Sequence, residues 1–221
     1  GRDPFGRVPL YWTQVEQAIW FSSQFQQLLP MVKSPQVSIP ALYGYSCFSY
    51  VPTPLSPVEN IFAIPAGTEL IFQGNPLKYT SRRLQEWREA PALIRDENLA
   101  VSQLQILLKN AIERQISELP DEPVGVLLSG GIDSSVVAAL LVQAGIKVRA
   151  YALDFGNDGY SELPYAEIVA RYLDIPLVKV AATPKELKRA IASTAQALDI
   201  PFGDAVTTPL YLLNQAASQE T

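Results

Sequence analysis

The stretch Ser129-Gly130-Gly131-Ile132-Asp133-Ser134-Ser135 holds residue types that bind a phosphate chain. Its two adjacent glycines lack a Cβ, so the backbone can take positive φ there and turn N–H groups toward an anion. An apolar run at 124–128 has the length of a buried strand, and a helical stretch follows from about residue 134 to 144. A helix start adds unpaired N–H groups and partial positive charge at the same spot. Ser129, Ser134 and Ser135 bring hydroxyl donors to the cradle. Asp133 stands apart, because a carboxylate beside phosphates repels them unless a divalent cation lies between; the expectation is that Asp133 binds Mg2+. The loop is not a Walker A sequence, having neither the four-residue spacer between glycines nor the lysine, and the dinucleotide fingerprint needs a third glycine where Ser134 stands. An ordinary strand-to-helix turn explains Gly130, Gly131 and Ser134 but leaves Asp133 and Ser135 without a role.

Composition narrows the chemistry further. The chain has no histidine, which removes Ser-His and Cys-His dyads and imidazole metal sites together. Cys47 is alone, so it forms no intrachain disulfide and no Cys-based zinc site; it reads as a small buried apolar residue among Tyr45, Phe48 and Tyr50. Carboxylates, backbone amides, a metal ion and the substrate itself remain. A net charge of -5 from 17 basic and 22 acidic residues, with no run of Lys or Arg, argues against a nucleic-acid partner. No apolar stretch reaches the roughly 20 residues of a membrane span, and no basic-then-apolar leader is present. The expectation is no membrane partner and a cytoplasmic location.

The elements that must position the loop are legible in the apolar spacing. Leu104, Leu107, Leu108, Ala111, Ile112, Ile116 and Leu119 form the stripe of an amphipathic helix ending before Pro120. Strands are expected at 124–128, 147–153 and 176–181, with helices at 134–144, stopped by Gly145, and at 164–173. Thr183-Pro184-Lys185-Glu186 is a capping box that opens a further helix, and Thr208-Pro209 opens another in the same way. This alternation predicts an α/β domain, a parallel sheet with helices on both faces, whose ligands bind beyond the carboxyl ends of the strands. Earlier in the chain, 8–13 and 18–23 read as two short strands. Prolines then cluster from residue 35 to 91, which predicts a connecting region with one helix near 39–48 and a hairpin near 69–80.

Ser-Gly-Gly-x-Asp-Ser at 129–134 resembles the pyrophosphate loop of the ATP pyrophosphatases, which include asparagine, GMP, NAD and argininosuccinate synthetases and tRNA-thiolating enzymes. Residues 1–12, beginning Gly1-Arg2-Asp3-Pro4-Phe5-Gly6, resemble the Arg-Asp-Pro-x-Gly-x-x-Pro-Leu-Tyr segment late in the glutaminase domain of glutamine-hydrolysing asparagine synthetases. Trp20-Phe21-Ser22-Ser23-Gln24 is similar to the Phe-Ala-Ser-Glu that follows there. Residues 48–54 and 61–67 resemble that family's connecting segment, and Leu163-Pro164-Tyr165-Ala166 and Pro209-Leu210-Tyr211-Leu212 its synthetase domain.

The resemblance implies an adenine nucleotide alpha hydrolase-like fold, preceded by the C-terminal remnant of an N-terminal-nucleophile glutaminase domain. Its boundaries are expected at 1–33 for that remnant, 34–94 for the connecting region and 95–221 for a synthetase domain incomplete at its C-terminus. It implies ATP and Mg2+ as cofactors, cleavage of ATP between the α- and β-phosphates, and an ATP-binding set of Leu128, Ser129, Gly130, Gly131, Asp133, Ser134, Ser135 and Leu153. Leu128 and Leu153 would flank the adenine, although by composition alone both read as plain strand core. Asp154 and Asp158 read as loop residues. Asp204 is a weaker candidate for facing the substrate, since Gly-Asp is also ordinary turn chemistry.

The implied activity is that of a ligase. Aspartate is adenylated on its side-chain carboxylate, and glutamine-derived ammonia displaces AMP. Two alternatives stay open: a homologue adenylating another carboxylate, as in β-lactam synthetases or peptide-cyclising enzymes, and a non-catalytic nucleotide-binding fragment. No catalytic residue is assignable in this stretch, and the oligomeric state cannot be read. The family's N-terminal cysteine and its later Ser-Gly-Glu-Gly-x-Asp-Glu loop have no counterpart within these residues. The expectation is therefore the middle of a longer enzyme, unable by itself to hydrolyse glutamine or make an amide.

Overall fold

The computed structural model describes residues 1–84, 94–117, 122–156 and 161–219. They form two units, one of Gly1–Glu89 with Ala195–Asp204 and one of Ala90–Thr194 with Ala205–Thr221.

In the first unit β1 (Tyr11–Val15) and β2 (Ala18–Ser22) make a tight antiparallel hairpin, with Tyr11 opposite Ser22 and Val15 opposite Ala18. The first strand starts at Tyr11 rather than at residue 8 because the preceding residues wind around the Arg2 guanidinium. Its Nε donates to the Val8 carbonyl at 2.9 Å, Nη1 to that of Ile64 at 2.8 Å and Nη2 to that of Gly6 at 2.7 Å. Helix α1 (Ile39–Phe48) occupies the expected residues, with the Ser38 hydroxyl accepting from the Ala41 N–H and Pro40 in the first turn. Strand β3 (Ile61–Ala63) pairs antiparallel with β1, giving the order β2-β1-β3. Strands β4 (Thr68–Gln73) and β5 (Lys78–Arg83) form the expected hairpin, extended slightly past its predicted end. Tyr11, Phe25, Leu28, Ile61 and Ala63 make the core, with Ile200 packed against it. The Asp199 carboxylate accepts from the Phe25 and Gln26 N–H groups at 2.7 and 3.2 Å, tying the later segment to this unit.

Cys47 is exposed, which corrects the expectation of a buried residue. Burial of α1 is confined to Ala41 and Gly44, and the aromatic neighbours expected to cover the thiol are themselves outside, Phe48 and Tyr50 among them.

The Asp3 carboxylate accepts from the Phe5 and Arg7 N–H groups, each at 3.0 Å. Desolvation raises its pKa, but backbone N–H groups of Arg7, Phe5, Gly6 and Val8 outweigh that and leave it below the ordinary 3.8. A depressed native pKa stabilises the fold above the unfolded value, and that contribution is lost as pH falls through the native one. Melting curves of the Asp3→Asn protein are therefore expected to show a weaker pH dependence than wild type below the ordinary value. Identical acid-side slopes would show that the carboxylate contributes nothing.

In the second unit α2 (Glu97–Ile116) starts earlier than its apolar stripe, because Asp96 caps it by accepting from the Leu99 N–H at 2.9 Å. Its expected end, at Leu119 and Pro120, lies outside the described residues. Strands β6 (Val124–Leu127), β7 (Val148–Asp154) and β8 (Leu177–Ala181) form a parallel sheet in the order β6-β7-β8. The crossovers are α3 (Ile132–Gln143) and α4 (Leu163–Tyr172), and α5 (Pro184–Ala197) and α6 (Thr207–Ala217) follow. Val148, Ala150 and Ala152 alternate along β7 and meet Ala138 and Leu141 of α3 and Ala166 and Ala170 of α4 in one core. The alanines let these helices approach the sheet closely. Tyr151, on the other side of β7, is fully buried, and α6 lies against β7 and β8. The sheet is thus flanked by helices on both faces. Among the described residues no helix is long and apolar enough to cross a membrane.

Candidate functional site

The chain turns between the end of β6 and the start of α3 in four residues, 128–131. Gly130 holds φ +80°, and a Cβ there would sit 2.4 Å from the Tyr165 carbonyl carbon and 2.5 Å from the Ala166 nitrogen. Only glycine lets the loop rest against the first turn of α4. Gly131, extended, stands at the N-cap of α3. The N–H groups of Ile132, Asp133 and Ser134, which a helix start leaves unpaired, have no acceptor among the described residues.

The serines shape the loop. Ser129 Oγ accepts from the Gly131 N–H at 3.2 Å and lies 3.1 Å from Ser134 Oγ. Ser134 Oγ accepts from the Ser129 N–H at 3.3 Å and donates to the Gly131 carbonyl at 3.3 Å. Ser135 Oγ donates to the same carbonyl at 2.6 Å. The three hydroxyls read as ligand donors from the sequence are therefore engaged within the loop, where they order it. Asp133 is exposed in the first turn of α3, and its carboxylate has no partner among the described residues.

Beyond the carboxyl ends of β6 and β7 lies a mostly apolar cavity of about 300 Å3, lined by Leu128, Ser129, Leu153, Phe155, Glu162 and Leu213 with their neighbours. That volume is at the lower end for small-molecule sites. The structure thus brings Leu128, Ser129 and Leu153 to one wall. Leu128 is also core, 2% exposed, and its N–H donates to the Tyr151 carbonyl at 2.8 Å. Sequence reasoning missed Phe155, Glu162 and the α6 residues. The only available signal for them was their position just past β7 and in the helix that Thr208-Pro209 opens.

Asp154 Oδ1 accepts from the Gly156 N–H at 2.9 Å, a local turn. Asp158 lies outside the described residues, and Asp204 is exposed in the first unit. Among the described residues no group of three or more His, Cys, Asp or Glu could hold a metal ion. A lone Asp133 nonetheless suits Mg2+, which keeps several waters and takes one or two carboxylates with substrate phosphates.

Residues 103–221 match the family model described as asparagine synthase, and residues 1–83 match that of a glutamine amidotransferase domain. The chain is 24% identical over 218 residues to glutamine-hydrolysing asparagine synthetase 1 of Bacillus subtilis, covering 99% of this chain and 34% of that protein. It is 28% identical over 222 residues to a protein of Methanocaldococcus jannaschii provisionally named as a second glutamine-hydrolysing asparagine synthetase, covering 98% of this chain and 42% of that protein. The chain therefore spans roughly a third to two fifths of the length of these relatives. Among solved structures, NMN synthetase of Francisella tularensis overlaps 54% of this chain and 50% of that one at 24% identity, with a TM-score of 0.38.

Proposed function

The chain belongs to the asparagine synthase family, and on that premise we propose that its second unit is the Mg2+-ATP site of an amide-forming ligase, one that adenylates the aspartate side chain for amidation by glutamine-derived ammonia. Residues 1–33 are the last part of the glutaminase-type domain and 34–94 its connecting segment. The location is cytoplasmic and the partners are small molecules. One observation carries the reading: Leu128 and Ser129 line an apolar cavity at the carboxyl ends of a parallel sheet, and the loop they begin leads within a few residues to three unpaired amides at the start of α3.

In this reading the Ile132, Asp133 and Ser134 amides and the positive end of α3 hold the pyrophosphate portion of ATP. Ser129, Ser134 and Ser135 keep those amides aimed, so little reorganisation accompanies the developing charge on the leaving oxygens. Asp133 holds Mg2+, which when bound neutralises phosphate charge. Leu128 and Leu153 flank the adenine and exclude water from its faces.

The proposal is tested by melting the protein with Mg2+-ATP. Wild type is expected to gain thermal stability and Asp133→Ala to gain less, the size being logarithmic in ligand over dissociation constant. Equal protection of the two would remove the metal role. Phosphorus NMR of the native protein's reaction is expected to show AMP and pyrophosphate; ADP and orthophosphate as first products would overturn the assignment.

A further inference from the structure

Among the described residues Glu162 is the one ionisable residue lining the cavity, whose other walls are Leu, Val, Ala, Phe and Pro side chains and Ser129. The residue is exposed, so its carboxylate stands in solvent at the edge of the cavity, free to accept from a ligand there. The Glu162 side chain makes no cap to α4, and it has no hydrogen-bond or ion-pair partner among the described residues. Only its backbone carbonyl serves the helix, accepting from the Tyr165 and Ala166 N–H groups at 3.0 and 3.2 Å.

Those same two residues are the ones Gly130 touches. Glu162 is thereby tied to the phosphate loop through a single turn of α4, a rise of about 5 Å. That span is comparable with the distance from a nucleotide's phosphate to its ribose hydroxyls, and well short of the far edge of the base. A carboxylate has two acceptor oxygens and no donor, the complement of a vicinal diol. Acidic side chains bond the ribose hydroxyls of nucleotides bound at other parallel sheets for the same reason.

Resting on the nucleotide reading above, we propose that Glu162 is the ribose-reading residue of this site, accepting hydrogen bonds from both the 2′- and 3′-hydroxyls and so selecting ribonucleotides over deoxyribonucleotides. The negative charge also repels the triphosphate, but that repulsion acts on ATP and its deoxy analogues alike. The ratio of affinities therefore isolates the hydroxyl contacts.

The experiment is calorimetric titration of the whole protein with Mg2+ complexes of ATP, 2′-deoxy-ATP and 3′-deoxy-ATP. Wild type is expected to bind each deoxy analogue roughly tenfold more weakly than ATP, the worth of one hydrogen bond to a charged acceptor. Glu162→Ala should bring both ratios near one with the ligand-free melting temperature unchanged, and Glu162→Gln, which keeps one acceptor, should fall between. Equal binding of ATP and both deoxy analogues by wild type, or an undiminished preference in Glu162→Ala, would overturn the proposal. Failure of wild type to bind ATP at all would instead overturn the nucleotide reading, and this inference with it.

Discussion

Replacing Gly130 by alanine is expected to abolish protection by Mg2+-ATP and to destabilise the second unit by about 3 kcal/mol. Two costs combine. A residue with a Cβ held at φ +80° loses roughly 1 kcal/mol from the conformation itself. The added methyl also meets the Tyr165 carbonyl carbon and the Ala166 nitrogen at 2.4 and 2.5 Å, and these are backbone atoms that cannot rotate away. Helix α4 is held in place by Ala166 and Ala170, 1% and 4% exposed in the core beneath the sheet. The loop must therefore lift, carrying the Ile132 to Ser134 amides out of line. Gly131→Ala is the control: its Cβ would meet only the Ser129 hydroxyl, at 3.2 Å, and its φ lies in the ordinary region, so a change within about 1 kcal/mol is expected. Differential scanning calorimetry with and without Mg2+-ATP measures both. A Gly130→Ala protein that keeps full protection would show that close contact with α4 is not what aims the loop.

The second large effect is expected in the other unit, where Arg2→Ala should cost about 3 kcal/mol. The guanidinium joins three carbonyls from two parts of the chain, those of Gly6 and Val8 close by and that of Ile64 far along it. Gly6 has φ +63°, and a Cβ on it would come within 3.0 Å of that guanidinium, so the segment is wrapped as closely as a glycine allows. Truncation leaves the part-buried Gly6 and Ile64 carbonyls without their charged donor. Arg2→Lys should recover little, because an ammonium is a point donor that cannot reach three diverging carbonyls. Urea unfolding is the measurement, with a lower midpoint expected for both variants. A loss below about 0.5 kcal/mol for Arg2→Ala would show that water replaces the guanidinium adequately. The Arg-Asp-Pro stretch resembles a family segment in the sequence; in the structure it is a clip that holds the start of β1 against the chain before β4.

Most secondary structure was decided locally, and so the sequence alone determined it. Apolar spacing and capping residues place α1, α3, α4 and the three parallel strands within a few residues of their observed bounds, since helix and strand periods involve only near neighbours. The same holds for the strand, glycine turn and helix that frame Asp133. The misplaced starts have local causes too, the Asp96 cap of α2 and the winding of residues 2–8 around Arg2, but the second needed the Ile64 carbonyl to be seen. What tertiary structure decided are contacts between residues far apart in the chain, which spacing cannot encode. Gly130 is required to be glycine by α4; Glu162, Phe155 and Leu213 share a cavity because the crossover α4 and the later α6 both pack against β7. Asp199 returns to cap Phe25, and the burial of α1 through Ala41 and Gly44 leaves Cys47 outside. Close packing of small residues chooses which neighbours meet, and that choice exists only once the sheet and its helices are assembled.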